Sequence, residues 1–134
     1  MESLRLTLVT PLNQVLKSVE VSEIRVPAEK GELTIFPDHS PLVTTLDTGV
    51  LSYVPKGASE ASKAVITWGY CEVINGEVNL LADSAQSADK IDFESAKSNK
   101  AEAEKALATN TLSPEEILET QKKLKKAEAQ LSLS

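Results

Sequence analysis

Histidine and cysteine occur once each, as His39 and Cys71, and that scarcity removes most chemistry before any pattern is read. One imidazole and one thiol do not make up a usual zinc site. A single thiol closes no intramolecular disulfide, which points to a reducing compartment. Only 4% of the residues are aromatic, and no run approaches the roughly twenty apolar residues of a spanning helix, so association with a membrane has to go through another protein. The opening Leu4-Arg5-Leu6-Thr7-Leu8 alternates rather than running, and so does not read as a secretory signal. Cations are in the minority: 14 Lys and Arg face 20 Asp and Glu, a net charge of -6, which excludes a nucleic-acid backbone as the main partner. The five glycines form no phosphate-cradling loop.

The chemistry that remains is thin. A histidine-dependent hydrolase needs its base beside a nucleophile, whereas His39 sits between Pro37 and Pro41, and Cys71 falls mid-strand between Tyr70 and Glu72. Cys71 reads as a small structural residue. The adjacent carboxylates Glu115-Glu116 are accounted for by helix capping, and Trp68 and Tyr70 read as core or interface anchors. Catalysis by this chain alone is not expected, and no cofactor is called for.

What is present is strand after strand. Leu4, Leu6 and Leu8 alternate with polar residues, and Pro11 with Asn13 ends that strand. Val15, Val19, Val21, Ile24 and Val26 continue the pattern until Pro27 and the Ala28–Gly31 segment turn the chain. Leu33 and Ile35 follow, then Leu42–Leu46, a turn at Asp47-Thr48-Gly49, and Val50–Val54, which Pro55 stops. A polar loop over 56–63 leads into Ala64–Trp68 and Gly69–Ile74. Asn75-Gly76 supplies the two left-handed residues of a type I′ turn, so Cys71–Ile74 pairs antiparallel with Glu77–Leu81. Short strands at this spacing suggest an antiparallel sandwich or flattened barrel.

The composition then changes. Every glycine lies at or before Gly76, and beyond Leu81 the chain is rich in the helix formers Ala, Lys, Glu and Gln. The boundary falls within Ala82–Asp89, dividing the chain into residues 1–86 and 87–134. From Ile91 onward, Phe93, Ala96, Ala103 and Leu107 keep to one helical face, with Lys100 interrupting the row. Thr109-Asn110-Thr111 breaks the pattern. Ser113-Pro114-Glu115-Glu116 restarts it, with Ser113 as N-cap, Pro114 at the first helical position and Glu116 closing a capping box. Ile117, Leu124 and Leu131 recur every seven residues beside Ala127, giving the second helix one seam. The expected fold is β + α: an N-terminal antiparallel β-sandwich, then an antiparallel two-helix hairpin. An alanine-lined interface buries little apolar area, so the hairpin should dock marginally, by a few kcal/mol at about 25 cal/mol per Å². Lys122, Lys123, Lys125 and Lys126 are expected on the side away from Leu124, as a basic face in an acidic chain. Such a face suits an acidic partner, and equally describes a solvated helix surface.

Between the strands lies a stiff corner. Pro37 and Pro41 fix φ, remove two amide donors and bias their predecessors toward extended geometry, leaving Asp38-His39-Ser40 displayed. This is either a surface presented to a partner or simply a well-made turn. The run Gly31-x-Leu33-x-Ile35 with His39-x-Pro41-Leu42, the turn at Gly49, Gly69-Tyr70-x-Glu72-Val73, Gly76, and Ala82-Asp83-x-Ala85 come in an order and spacing that resembles the ε subunit of F-type ATP synthases. The resemblance covers essentially the full length.

It implies a non-catalytic rotor subunit whose sandwich grips the central γ shaft and rests on the c ring. It places Glu29, Glu32, Phe36, Asp38, His39 and Ser40 at the γ and c-ring contact. The hairpin would fold against the sandwich or extend along γ toward the catalytic head, where it impedes ATP hydrolysis. Lys122, Lys123, Lys125 and Lys126 would then meet acidic segments of the β subunits, with the α subunits alongside. Members that bind ATP carry an I/L-D-x-x-R-A motif, which here reads Ile91-Asp92-Phe93-Glu94-Ser95-Ala96. Serine replaces the arginine, and Lys126 and Gln130 stand at the later positions. The bidentate phosphate grip is missing, so ATP binding to the hairpin is not expected. The location implied is peripheral, on the cytoplasmic face of a bacterial plasma membrane or the stromal face of a thylakoid. A free-standing sandwich and coiled-coil adaptor for an acidic partner shares all the residue-level features. A small enzyme would instead need a pocket converging on His39 or Cys71.

Overall fold

The computed structural model describes residues 3–134. Within them the chain forms strands β1 (Leu4–Val9), β2 (Gln14–Ala28), β3 (Gly31–Ile35), β4 (Leu42–Leu46), β5 (Gly49–Pro55), β6 (Ser62–Ile66), β7 (Gly69–Ile74), β8 (Glu77–Ala82) and β9 (Ala85–Ser87). A single 3₁₀ turn, Ala88–Lys90, leads to helices α1 (Phe93–Ala108) and α2 (Pro114–Leu131).

β2 organises the sandwich. Its first half pairs antiparallel with β1, Leu4 opposite Val21 and Val9 opposite Gln14. Its second half pairs with β3 (Ile24 opposite Ile35) and with β5 (Arg25 opposite Ser52). One layer is therefore β2–β1–β8–β7–β4 and the other β3–β2–β5–β6–β9; β2 belongs to both, and β4 also meets its far end, with Ala28 opposite Leu46. The passage between layers is marked by bulges. One extra β2 residue falls between the pairs Leu6–Val19 and Leu8–Leu16, where Ser18 takes a φ of 45° and donates its N–H to Thr7 Oγ1 at 3.1 Å. Another extra β2 residue falls between the pairs Leu8–Leu16 and Val9–Gln14, and a third shift, at Ser22, interrupts the pairing with β5. Bulges bend and twist a strand, which is what crossing from one layer to the other requires.

The inward residues of both layers form one apolar cluster: Leu4, Leu6, Leu8, Val21, Ile24, Val26, Ile35, Leu46, Leu51, Ile66, Cys71, Val73, Val78, Leu80 and Ala82. None comes from a helix. Asn75 and Gly76 hold φ values of 48° and 76°, as a type I′ turn requires, and Ile74 faces Glu77 across it.

The expectation of a sandwich followed by two helices holds, with two differences of detail. β1 and β8 run parallel, Arg5 beside Glu77 and Leu8 beside Leu80, so the sandwich contains one parallel pair. The side-chain alternation that reveals a strand is the same in either direction. The Ala82–Asp89 segment carries a last strand, β9, hydrogen-bonded along β6 with Ile66 opposite Ala85. The second helix starts as expected, and the first begins at Phe93. Asp92 caps α1, and Ser113 with Glu116 closes the capping box of α2. The hairpin seam rests on the buried small residues Ala96, Ala103 and Ala127, while Ile117 stays 37% exposed.

Candidate partner-binding surfaces

At the β3–β4 connection Phe36 is 50% exposed, and the His39 N–H donates to the Phe36 carbonyl at 3.0 Å, closing the turn between the prolines. His39 Nδ1 lies 2.8 Å from the Ser40 carbonyl, which can only accept, so Nδ1 carries the proton of this bond. Asp38 and Ser40 are exposed beside it. Glu29 and Glu32 do not join this corner. They flank the β2–β3 turn, and the five extended residues of β3 put roughly 13 Å between that turn and the corner. Glu29 is tied elsewhere: its N–H donates to the Thr45 carbonyl at 3.1 Å, and its carboxylate accepts the Thr45 hydroxyl. The six residues thus form two clusters at opposite ends of one short strand.

The outer face of the layer containing β4, β7, β8 and β1 carries apolar residues where solvent-facing positions ordinarily hold polar ones. Val43 is 69% exposed and Tyr70 52%, with Ile74 and Leu81 also open. Tyr70 stands opposite Thr45 on one side and Leu81 on the other. A shallow depression of about 290 Å³ beside Tyr70 is lined by Thr7, Val9, Glu72, Asn79 and Leu81 among others. Outward strand register combined with an apolar side chain at residues 43, 70 and 81 was the available sequence signal for this patch.

The helices meet the sandwich through α2, which lies against β5 and β6. Here the four lysines divide. The Lys125 ammonium pairs with the Asp47 carboxylate in the β4–β5 turn, and Lys122 Nζ lies 4.4 Å from the ring centroid of Trp68 in the β6–β7 turn. Gln130 Nε2 donates to Gln86 Oε1 on β9 at 2.8 Å. Lys123 and Lys126 point instead into the groove between the helices, a space of about 440 Å³ shared with Asn99, Glu102, Ala103 and Gln130. The single basic face expected opposite Leu124 is therefore two pairs, one on the sandwich and one over α1. A helical wheel gives angles and not the identity of the neighbours. The Lys125 hydrogen bond holds the Asp47 carboxyl below its ordinary range, with help from the Thr48 N–H.

At the start of α1, Asp92 Oδ1 accepts the N–H groups of Glu94 and Ser95, both at 3.1 Å, and the Ser95 hydroxyl donates to Oδ2 at 2.9 Å. These bonds, led by the Ser95 N–H, lower the Asp92 pKa. Serine at the motif's arginine position thus serves the cap, while Ile91 and Ala96 on either side are buried. Cys71 lies fully in the core, where burial pushes its thiol up to about 12 with a smaller contribution from the charge of Glu72. Neither His39 nor Cys71 lines the depression beside Tyr70 or the groove between the helices. Among the described residues no three His, Cys, Asp or Glu side chains converge for a metal ion, and no helix is long and apolar enough to cross a membrane.

Comparison with known proteins matches both halves of this architecture. The profile of the ATP synthase Delta/Epsilon chain beta-sandwich domain covers residues 3–88, and that of the Delta/Epsilon chain long alpha-helix domain covers residues 89–134. The ATP synthase epsilon chain of Bdellovibrio bacteriovorus is 41% identical over 129 residues, 96% of this chain and 92% of that one. That of Geotalea daltonii is 43% identical over 115 residues, 86% of this chain and 80% of the other. A chain of the Euglena gracilis mitochondrial ATP synthase superposes with a TM-score of 0.85 at 22% identity, covering 98% of this chain and 81% of that one, a likeness of fold. Matched along both its sandwich and its helices, the chain belongs to the epsilon-chain family of the F-type ATP synthases.

Proposed function

We propose that this chain is a non-catalytic coupling and regulatory subunit: its sandwich joins the γ shaft to the c ring, and its hairpin restrains ATP hydrolysis by the catalytic head. The observation that carries the regulatory part is the way the hairpin is attached. No helix residue belongs to the apolar cluster of the sandwich, and the named links of α2 to it are an ion pair, a cation over an indole and an amide pair. Exposed contacts of these kinds contribute about 1 kcal/mol or less each, so α2 can leave without opening the core. The division into residues 1–86 and 87–134 belongs to the same proposal.

For coupling, the apolar outer face with Val43, Tyr70 and Leu81 supports docking of γ, and the corner Phe36-Asp38-His39-Ser40 supports a contact with γ or the c ring. Glu29 and Glu32 form a second acidic edge for the same partners. In the extended state Lys122, Lys123, Lys125 and Lys126 face acidic surfaces of the β subunits beside the α subunits. The complex, rather than the chain itself, supplies the attachment to the membrane, at the cytoplasmic face in a bacterium or the stromal face in a plastid. ATP is not expected to bind the hairpin, because Ser95 is engaged with Asp92 and lysine offers no bidentate grip; tight binding by calorimetric titration would overturn this.

The test of the main reading is ATP hydrolysis by the reconstituted catalytic core with γ, to which either the full chain or a form ending near Ala88 is added. Inhibition by the full chain, and γ binding without inhibition by the short form, supports the reading. Failure of both to bind γ refutes it and favours the free-standing adaptor.

A further inference from the structure

Two of the lysines offered to the catalytic head are already occupied. Lys122 and Lys125 lie three residues apart on α2 and reach two neighbouring turns of the sandwich, and both seats are braced by bonds within the sandwich itself. Asp47 Oδ1 accepts the Thr48 N–H at 2.8 Å, and the Asp47 N–H donates to the Pro27 carbonyl at 2.8 Å, so Oδ2 is held outward for the Lys125 ammonium. The other seat is braced as well. The Trp68 carbonyl accepts the Asp83 N–H at 3.0 Å, and the neighbouring Thr67 hydroxyl accepts the Ser84 N–H at 2.8 Å and meets the Ser84 hydroxyl at 2.9 Å. Between the seats, a space of about 250 Å³ bounded by Asp47, Trp68, Leu118, Gln121, Lys122 and Lys125 remains open. Leu118, the one aliphatic side chain bordering this space, stays 54% exposed, so apolar packing does not close it.

We propose that Asp47 and Trp68 form an internal latch that competes with the acidic partner for the same two lysines. This rests on the reading of the chain as an epsilon subunit and adds the regulation of its hairpin. An ammonium cannot satisfy Asp47 and a partner carboxylate at once without sharing its donors. The docked hairpin therefore masks Lys122 and Lys125, and an acidic surface that captures them also releases α2. Lys123 and Lys126, which face the inter-helix groove, travel with the hairpin and take no part in the latch. Because the Asp47–Lys125 pair is partly exposed, rising salt weakens both sides of this competition.

The experiment uses the full chain in solution. Trp68 is the only tryptophan, so its emission reports whether the Lys122 ammonium lies over the ring. Spin labels on Glu60→Cys and Glu119→Cys follow the distance between sandwich and hairpin, while buried Cys71 stays unlabelled. Asp47→Asn removes the anion, keeps an oxygen for the Thr48 N–H and leaves every lysine in place. At low salt it is expected to raise the ratio of released to docked hairpin roughly two- to five-fold, the range of an exposed ion pair. The exchanged pair Asp47→Lys with Lys125→Asp restores docking. Poly-L-glutamate added to the wild type shifts Trp68 emission and lengthens the label distance, and does so at lower concentration for Asp47→Asn. An unchanged distance distribution in Asp47→Asn, or poly-L-glutamate binding without release, overturns the latch. In parallel, binding of the wild type to isolated γ is measured. Its absence refutes the coupling function proposed above while the latch result in the free chain stands on its own.

Discussion

Gly69 opens β7 at the point where it is flanked by Leu46 of β4 and Ala82 of β8. A Cβ at this position would lie 1.8 Å from the Leu81 carbonyl oxygen, 2.8 Å from the Leu81 carbonyl carbon and 2.9 Å from Ala82 Cα. Carbon–oxygen approaches between strands settle at about 3.3–3.6 Å, so in Gly69→Ala the β8 main chain must retreat by roughly 1.5 Å. These are backbone atoms of a strand held on its other side by β1, Val9 beside Leu81, and no side-chain rotation relieves them. The retreat strains the Gly69–Ala82 and Tyr70–Leu81 pairs and the bond from the Asp83 N–H to the Trp68 carbonyl. With overpacking at 1–3 kcal/mol and each weakened bond at about 1 kcal/mol, the loss should be about 3 kcal/mol. In urea denaturation with a slope of about 2 kcal/mol per M, the midpoint falls by roughly 1.5 M. Gly57→Ala is the control. Its Cβ meets nothing within 4 Å, and only its φ of 85° is penalised, so it should cost about 1–2 kcal/mol. A Gly69→Ala midpoint no lower than that of Gly57→Ala would refute the steric argument.

Replacing Asn75, held at a φ of 48°, with alanine should cost about 1 kcal/mol in thermal or chemical unfolding, whereas Asn75→Gly should be close to neutral. The folded-state pKa values of Asp92 and Glu116 lie below their ordinary values of 3.8 and 4.5, through the Ser95 and Ser113 bonds respectively. Their contribution to the helices is therefore complete above those ordinary values and is lost as pH falls through the lower folded ones. Far-ultraviolet circular dichroism should be flat from neutral pH to about 5 and decline below about 4, and Glu116→Gln should remove the Glu116 part of that decline. Cys71, with its thiol pushed to about 12, should resist alkylation at pH 8 until the sandwich unfolds, which mass spectrometry against urea concentration would show.

The strands of the sandwich were legible because Leu4-Leu6-Leu8 and Val78-Leu80-Ala82 alternate strictly and bury the alternating set. The Asn75-Gly76 turn and the Ser113 capping box were legible because each is closed by residues at most three positions apart. Pairing across long separations was not. β9 is three residues, Ala85-Gln86-Ser87, all half-buried, so neither period nor hydrophobicity marks it. The parallel partnership of β1 and β8 leaves no local trace in either strand. At the candidate site, the turn at Asp47 and the lysines of α2 were each visible, but their pairing spans 78 positions and depends on where the hairpin lies. The separation of Glu29 and Glu32 from His39 has a related origin: nearness along the chain becomes distance once β3 is extended between them.

A strand common to both layers also sets how the sandwich would answer a sideways force. Two sheets held together only by apolar side chains have a slip plane between them, since such contacts resist separation better than sliding. Here β2 enters one layer at Gln14 and leaves the other at Ala28. Any slip of one sheet over the other must stretch its main chain or tear its ladders to β1 and β5. A sideways force on the face that bears Tyr70 would therefore cross the ladders from β7 through β8 and β1 to β2, and then run along the β2 main chain to the edge that bears β3.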